Sequence, residues 1–192
     1  MGKSIKGTQT EQNLLKSFAG ESQARQRYTL FAEKAKEEGY DQIEAIFLDT
    51  ALNEQYHARR FFSYLEGGPV EITAIYPAGI VGTTEENLKA AAEGENEEWS
   101  ELYPKFAEVA MEEGFPQVAA AFKIICEVEK LHEKRYLKLL ENVRTEKVFK
   151  KDEKVKWHCR ACGYVHEGLE APKVCPVCLE KQSLFELECI NY

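Results

Sequence analysis

The chain has 192 residues, a mass of 22.0 kDa, 44% hydrophobic and 30% charged residues, and a net charge of -8. That length suits one domain of ordinary size plus a small one, and the hydrophobic share excludes a disordered chain. Residues 1–145 carry 17 Lys+Arg against 25 Asp+Glu, whereas residues 146–192 carry 8 of each, so the first part is acidic and nucleic acid is not expected as its partner. No run reaches the roughly 18 apolar residues of a membrane span. The opening MGKSIKGTQT lacks an apolar signal region and Lys6 spoils a myristoylation match, so no membrane association and a cytoplasmic location are expected.

Apolar residues recur with helical period over four stretches, roughly 10–38, 41–66, 84–113 and 116–144. Thr8 with Glu11 and Thr83 with Glu86 have capping-box spacing, Gly39 and Gly114 suit left-handed helix ends, and Pro116 suits a first turn. The segment EGGPVEITAIYPAGIVGTT is too long for a tight turn and predicts the long crossover of a four-helix bundle within residues 1–145. The two helical pairs repeat. Asn13-Leu14 aligns with Asn87-Leu88 and Gly20-Glu21 with Gly94-Glu95. After one extra residue, Phe31 falls on Phe106, Phe47 on Phe122, Glu54 on Glu129, His57 on His132 and Arg60 on Arg135. This is a duplicated helical hairpin with approximate two-fold symmetry. The extra residue, between 95 and 106, predicts a π-type distortion over 98–104 that the first stretch lacks.

Within these helices, carboxylates stand where a core should be. The stripe Ile43, Phe47, Thr50, Glu54, His57, Phe61, Tyr64 occupies one helical face, and so does Val118, Phe122, Ile125, Glu129, His132, Tyr136, Leu139. Glu21 interrupts the seam of the first stretch, and Glu95 and Glu98 that of the third. Five carboxylates and two imidazoles would then converge at one level of the bundle. Unpaired charges there cost several kcal/mol each, so either these helices face water on that side, with solvated or ion-paired glutamates, or a cation binds. The coincidence of both Glu-x-x-His turns in the repeat favours the cation. Two Glu-x-x-His turns with a Glu from each remaining helix is the donor arrangement of di-iron and di-manganese carboxylate bundles. Oxygen-rich ligation suits iron, which changes oxidation state in place.

Six cysteines in a reducing compartment point to metal or redox chemistry before disulfides. Cys159/Cys162 and Cys175/Cys178 form two Cys-x-x-Cys pairs, a strong tetrathiolate signal compatible with zinc or iron. Residues 146–192 are too few for a self-sufficient core, so this segment, joined through a linker of about 145–156, is expected to fold on its metal. Trp157, Tyr164 and Phe185 would form its aromatic core. Cys126 reads as a buried inert thiol, Cys189 stands alone, and His158 and His166 read as surface residues or as support behind the ligands.

The tail, with Gly163-Tyr164 after the first pair and Cys175-Pro176-Val177-Cys178 as the second, is similar to rubredoxin. Together with Phe18-Ala19-Gly20-Glu21, Glu54-x-x-His57, Glu95-x-x-Glu98 and Glu129-x-x-His132, it makes the whole chain resemble the rubrerythrin family. The resemblance implies a mainly α fold: a ferritin-like four-helix bundle over 1–145, then a small rubredoxin-like domain over 146–192. It implies two iron ions held by Glu21, Glu54, His57, Glu95, Glu98, Glu129 and His132, and one iron held by Cys159, Cys162, Cys175 and Cys178. It further implies reduction of hydrogen peroxide to water, with Glu98, His57, Tyr28 and Tyr103 taking part. Electrons would arrive through the tetrathiolate iron from a rubredoxin or an NAD(P)H-dependent reductase, in a head-to-tail homodimer. Glu98 is matched in the repeat by Ala24, and the resemblance implies that it exchanges with His57 on one iron. A ferroxidase or dioxygen-reducing oxidase would use the same ligands, and a metal-storage or zinc-ribbon protein is a reading from another class.

Overall fold

The computed structural model describes residues 3–190. Five α-helices run as α1 (Gln9–Glu37), α2 (Asp41–Phe62), α3 (Thr84–Glu97), α4 (Tyr103–Glu112) and α5 (Pro116–Arg144), and a π-helical turn, Glu98–Leu102, joins α3 to α4. Counted as rods, α3, the π-turn and α4 are one interrupted helix, so the bundle has four. The signals at the ends act as their chemistry demands. Thr8 accepts from the Glu11 amide, and Thr83 and Glu86 cap each other reciprocally. Gly39 and Gly114 take φ of +81° and +79° at the two inter-helix corners, and Pro116 opens α5. The second helix stops at Phe62 rather than 66, because Tyr64 and Leu65 bond back to Phe61 and Phe62 in a tight turn and Gly67 and Gly68 then adopt positive φ. The crossover to α3 has no regular secondary structure.

The π-turn lies where the repeat contains its additional residue: the Tyr103 amide donates to the Glu98 carbonyl, five residues back. α1 runs through the corresponding level without interruption. An inserted residue would rotate every later side chain by about 100° in an α-helix, and the wider turn absorbs it. Tyr103, Ala107 and Ala110 are thereby returned to the buried face.

The bundle core consists of two apolar clusters. One contains Tyr28, Phe31, Phe47, Leu88 and Tyr136, and the other Leu14, Phe61, Tyr103, Val118 and Phe122. The repeat carries one onto the other, Phe47 onto Phe122 and Tyr28 onto Tyr103. Aromatic contacts tie each together, including Phe61–Phe122 at 4.9 Å and an edge-on Tyr28–Tyr136 pair at 5.5 Å. Between the clusters lies a layer of buried polar side chains.

The C-terminal segment forms a three-stranded antiparallel sheet of β1 (Lys150–Cys159), β2 (Val165–Glu170) and β3 (Phe185–Leu187), in the order β2-β1-β3. Its fully buried side chains are Trp157, Cys159, Ala171, Cys175 and Phe185, with Tyr164 packed alongside. So small a core cannot offset the chain entropy of folding. Stripping a bound ion from this segment should collapse the dispersed amide signals of residues 150–187 while the bundle keeps its far-ultraviolet helical signal; dispersion that survives chelation would show that the core suffices alone.

Candidate metal centres

The polar layer is built from four helices. α2 contributes Glu54 and His57 from consecutive turns, α5 contributes Glu129 and His132, α1 contributes Glu21 and α3 contributes Glu95; the carboxylates are at most 1% exposed. His57 Nδ1 lies 2.8 Å from Glu54 Oε2 and 2.9 Å from Glu129 Oε1. His132 Nδ1 lies 3.2 Å from Glu54 Oε1 and 2.8 Å from Glu129 Oε2. Each of the two central carboxylates therefore gives one oxygen to each half of the site. Glu21 completes the first group, 4.0 Å from His57 Nδ1, and Glu95 the second, 3.7 Å from His132 Nδ1. The result is two four-residue donor groups, Glu21/Glu54/His57/Glu129 and Glu54/Glu95/Glu129/His132, with the donor atoms of each within 4.8 Å of one another.

Short nitrogen–oxygen contacts can be ion pairs or the edges of a coordination shell, and hydrogen bonding separates the two. Both oxygens of Glu54, both of Glu129, Glu21 Oε2, Glu95 Oε2 and both Nδ1 atoms are buried without a hydrogen-bond partner. An unpaired buried polar group costs about 1–3 kcal/mol. Eight in one layer amount to about 8–24 kcal/mol, comparable with or above a typical domain's whole stability of about 5–15 kcal/mol, a cost that protonation of the imidazoles offsets in part and that a cation meeting these lone pairs removes. Tyr28 OH donates to Glu95 Oε1 at 2.6 Å and leaves Glu95 Oε2 toward His132, whereas Tyr103 OH donates to Glu21 Oε1, the oxygen that lies 4.0 Å from His57 Nδ1, and Glu21 Oε2 is buried without a partner. The donor set fits a pair of divalent transition-metal ions, iron included.

Glu98 falls outside both groups. It lies on the π-turn and lines a cavity of about 470 Å³ together with Gly20, Arg27, Tyr76, Leu102 and Tyr103. Tyr76, from the crossover, donates to the Lys16 carbonyl at 2.6 Å and so closes the crossover onto α1. Desolvation, then the charges of Glu95, Glu129 and Glu54, hold the Glu98 carboxyl well above the usual carboxylate range.

Burial works against charge on both imidazoles, but the adjoining carboxylates prevail and push His57 up to about 10 and His132 up to about 12. Desolvation likewise opposes ionisation of Glu54, and the two imidazoles overcome it, bringing it down to about 2. Without metal, each imidazole thus holds a proton at pH 7 that a metal ion must displace. Desolvation also pushes Glu95 up to about 8 and Glu21 well above the usual carboxylate range. Loading the metal-free bundle at pH 7 should therefore release at least one proton per histidine, measurable by calorimetry in buffers of different ionisation enthalpy, and metal affinity should fall as pH drops. Metal uptake with no proton release would contradict this electrostatic account.

In the C-terminal segment, Cys159, Cys162, Cys175 and Cys178 converge, with Sγ–Sγ distances of 3.8 Å (Cys159–Cys178) and 3.6 Å (Cys162–Cys175). Four sulfurs about 2.3 Å from one ion stand about 3.8 Å apart, so the cage fits a tetrahedral tetrathiolate site. Desolvation raises the Cys175 thiol, but the backbone N–H groups of Cys178 and Val177 point at its sulfur and bring it to about 7. Gly163 follows the first pair at φ +79° and donates to the Cys159 carbonyl. Leu179 repeats that geometry after the second pair at φ +64°, donating to the Cys175 carbonyl. Nothing in the sequence marks Leu179 for a left-handed position.

Other contacts also escaped the sequence. His132 Nε2 meets Asn53 Oδ1 at 3.2 Å, and Glu133 accepts from Asn96 at 2.9 Å and from the Trp99 indole at 2.7 Å, pinning the π-turn to α5. These pairs join different helices, so no local spacing announces them. Cys126 is buried, with its thiol raised to about 11 by desolvation, as expected of an inert group. Cys189 is exposed. Among the described residues, no helix is long and apolar enough to cross a membrane.

Two family models match the chain: Rubrerythrin over residues 12–140, and Rubrerythrin, rubredoxin-like domain, over residues 157–186. The rubrerythrin of Porphyromonas gingivalis is 58% identical over 192 residues, covering 100% of this chain and 96% of the relative. That of Nitratidesulfovibrio vulgaris is 50% identical over 190 residues, covering 99% and 100%. Among solved structures, the fully reduced, all-ferrous state of nigerythrin superposes with a TM-score of 0.63 at 30% identity, covering 97% of this chain and 92% of that one. With a carboxylate–histidine site of the di-iron type in the bundle and a rubredoxin-like four-cysteine site behind it, the chain belongs to the rubrerythrin family.

Proposed function

We propose that the protein reduces hydrogen peroxide to water at a di-iron centre held by Glu21, Glu54, His57, Glu95, Glu129 and His132, with Glu98 as an exchangeable seventh ligand. The observation that carries this reading is the sharing of Glu54 and Glu129 between two four-donor groups, beside a cavity lined by an additional carboxylate. Reducing one peroxide takes two electrons and two protons and yields two waters. A pair of ferrous ions supplies the two electrons together, and the chain must supply the rest.

Glu98 is suited to manage protons. Burial and the neighbouring carboxylates favour the protonated form of Glu98, which can donate to an oxygen in the cavity it lines, whereas the ionised form would offer its charge to the donor groups. Glu98 stands against both terminal carboxylates: it is the charge that most raises Glu21, of the His57 group, and Glu95, of the His132 group, is the charge that most raises Glu98. Its exchange with His57 is what the family resemblance implies. A ferric ion favours that extra charge, whereas a ferrous ion tolerates neutral imidazole. Tyr28 and Tyr103 would hold the terminal carboxylates Glu95 and Glu21 in place through such an exchange.

Cys159, Cys162, Cys175 and Cys178 would hold an iron able to accept electrons one at a time from a rubredoxin or an NAD(P)H-dependent reductase. Within one chain this cage is poorly placed. Ser183 packs against Gly39 and Phe149 stacks on Tyr40, so the small segment sits where α1 turns into α2, about 20 Å along α2 from Glu54 at 1.5 Å per residue. A head-to-tail homodimer would bring the cage of one chain to the bundle site of its partner. The outward side chains of Leu48, Leu52 and Tyr56 on α2 offer apolar surface for such a pairing.

Two measurements test this function. Stopped-flow reoxidation of the reduced protein should be much faster with peroxide than with dioxygen; the reverse order would establish a dioxygen-reducing oxidase or ferroxidase on the same ligands. Glu98→Ala should keep both bundle ions and slow peroxide turnover by about 10- to 100-fold, the range lost when groups orienting a metal site are removed. Unchanged turnover in the fully loaded variant would refute the role given to Glu98.

A further inference from the structure

The two-fold relation between the halves of the bundle is broken along one row of side chains. On α2, Asp49, Thr50 and Asn53 face the His132 half. Arg135 Nη1 donates to Asp49 Oδ2 at 3.0 Å, Arg135 Nη2 donates to Thr50 Oγ1 at 2.7 Å, and His132 Nε2 lies 3.2 Å from Asn53 Oδ1. The register that places His57 on His132 puts Ile124, Ile125 and Val128 at the matching positions of α5. None can accept a hydrogen bond through its side chain. Arg60, the counterpart of Arg135, lies instead over the Tyr64 ring at 4.8 Å. Among the described residues His57 Nε2 has no hydrogen-bond partner, and its side chain is 12% exposed against 4% for His132.

An imidazole that offers Nδ1 to a cation must carry its proton on Nε2. An acceptor for that N–H fixes the tautomer, orients the ring and makes the ligand more basic. Asn53 supplies this acceptor to His132, and Val128 supplies none to His57. We propose that Asn53 is the positioning residue that makes His132 the permanent imidazole of the site, and that Val128 in the equivalent place leaves His57 the one that can yield to Glu98. The two departures from symmetry then act together. Glu98 opposite Ala24 provides a competing ligand, and Val128 opposite Asn53 leaves His57, the ligand with which the proposed function has Glu98 exchange, loose enough to be displaced. This deepens the function proposed above, resting on its metal site but not on its oxidant.

The test uses zinc, which is redox-inert, bound to the metal-free full-length chain. In histidine nitrogen NMR of the zinc-loaded protein, the Nε2–H of His132 should exchange slowly with water and that of His57 rapidly. Asn53→Val should weaken zinc binding at one bundle position by about 10- to 100-fold and expose the His132 Nε2–H, and Asn53→Asp, which restores an acceptor, should recover both. Val128→Asn should protect the His57 Nε2–H and, in crystals of the iron-loaded protein, keep His57 bound in both oxidised and reduced states. Equal exchange of the two Nε2–H groups in the unaltered protein, or wild-type zinc affinity in Asn53→Val, would overturn the proposal while leaving the metal site intact. Absence of zinc from the bundle of the unaltered protein would remove the metal site itself.

Discussion

Buried lone pairs set the terms for this molecule. Glu21, Glu54, Glu95 and Glu129 lie in the middle of a helical bundle, between two clusters of apolar and aromatic side chains. Water does not reach them, and eight of the inward donor atoms of this layer have no protein partner. Either the bundle gives up much of its stability to keep them there, or a pair of cations completes it. Other features follow from the second alternative: the tyrosines that orient the terminal carboxylates, the two carboxylates placed to bridge, and the imidazoles that aim Nδ1 at the same points as the oxygens.

Duplication explains how such a layer arises from sequence. A hairpin carrying one Glu from its first helix and Glu-x-x-His from its second, paired with a copy of itself, delivers two matched donor groups around one axis. Chemistry enters where the copies differ. The residue added near Glu98 opens a π-turn, the turn leaves Glu98 beside a cavity, and Trp99 and Asn96 anchor it through Glu133. The polar row Asp49, Thr50, Asn53 laces the opposite half together. The His132 half is thus laced by hydrogen bonds that the His57 half lacks.

Most of the fold was legible in the sequence, because its signals are local. Caps, corner glycines, helical stripes and the Cys-x-x-Cys pairs each depend on residues a few positions apart, and the π-turn was legible because the repeat provided an internal reference for length. The early end of α2 escaped, since Tyr64 and Leu65 continue the apolar pattern while their backbone has already turned. In the site, the ligand-bearing turns stood out as charges in apolar seams. What could not be read was cross-helix pairing: which tyrosine supports which carboxylate, and that Asn53 next to Glu54 serves the histidine of another helix. The position of Glu98 outside both donor groups depends on the shape of the π-turn, which the mere presence of an added residue does not specify.

The most direct test is a crystal structure of the iron-loaded protein with anomalous scattering measured at the iron edge. Two iron peaks should appear in the bundle, roughly 3.5–4 Å apart as in other carboxylate-bridged pairs, with Glu54 and Glu129 spanning them and one histidine Nδ1 on each. A fully folded bundle with a single ion, with none, or with these side chains turned toward solvent would contradict the account.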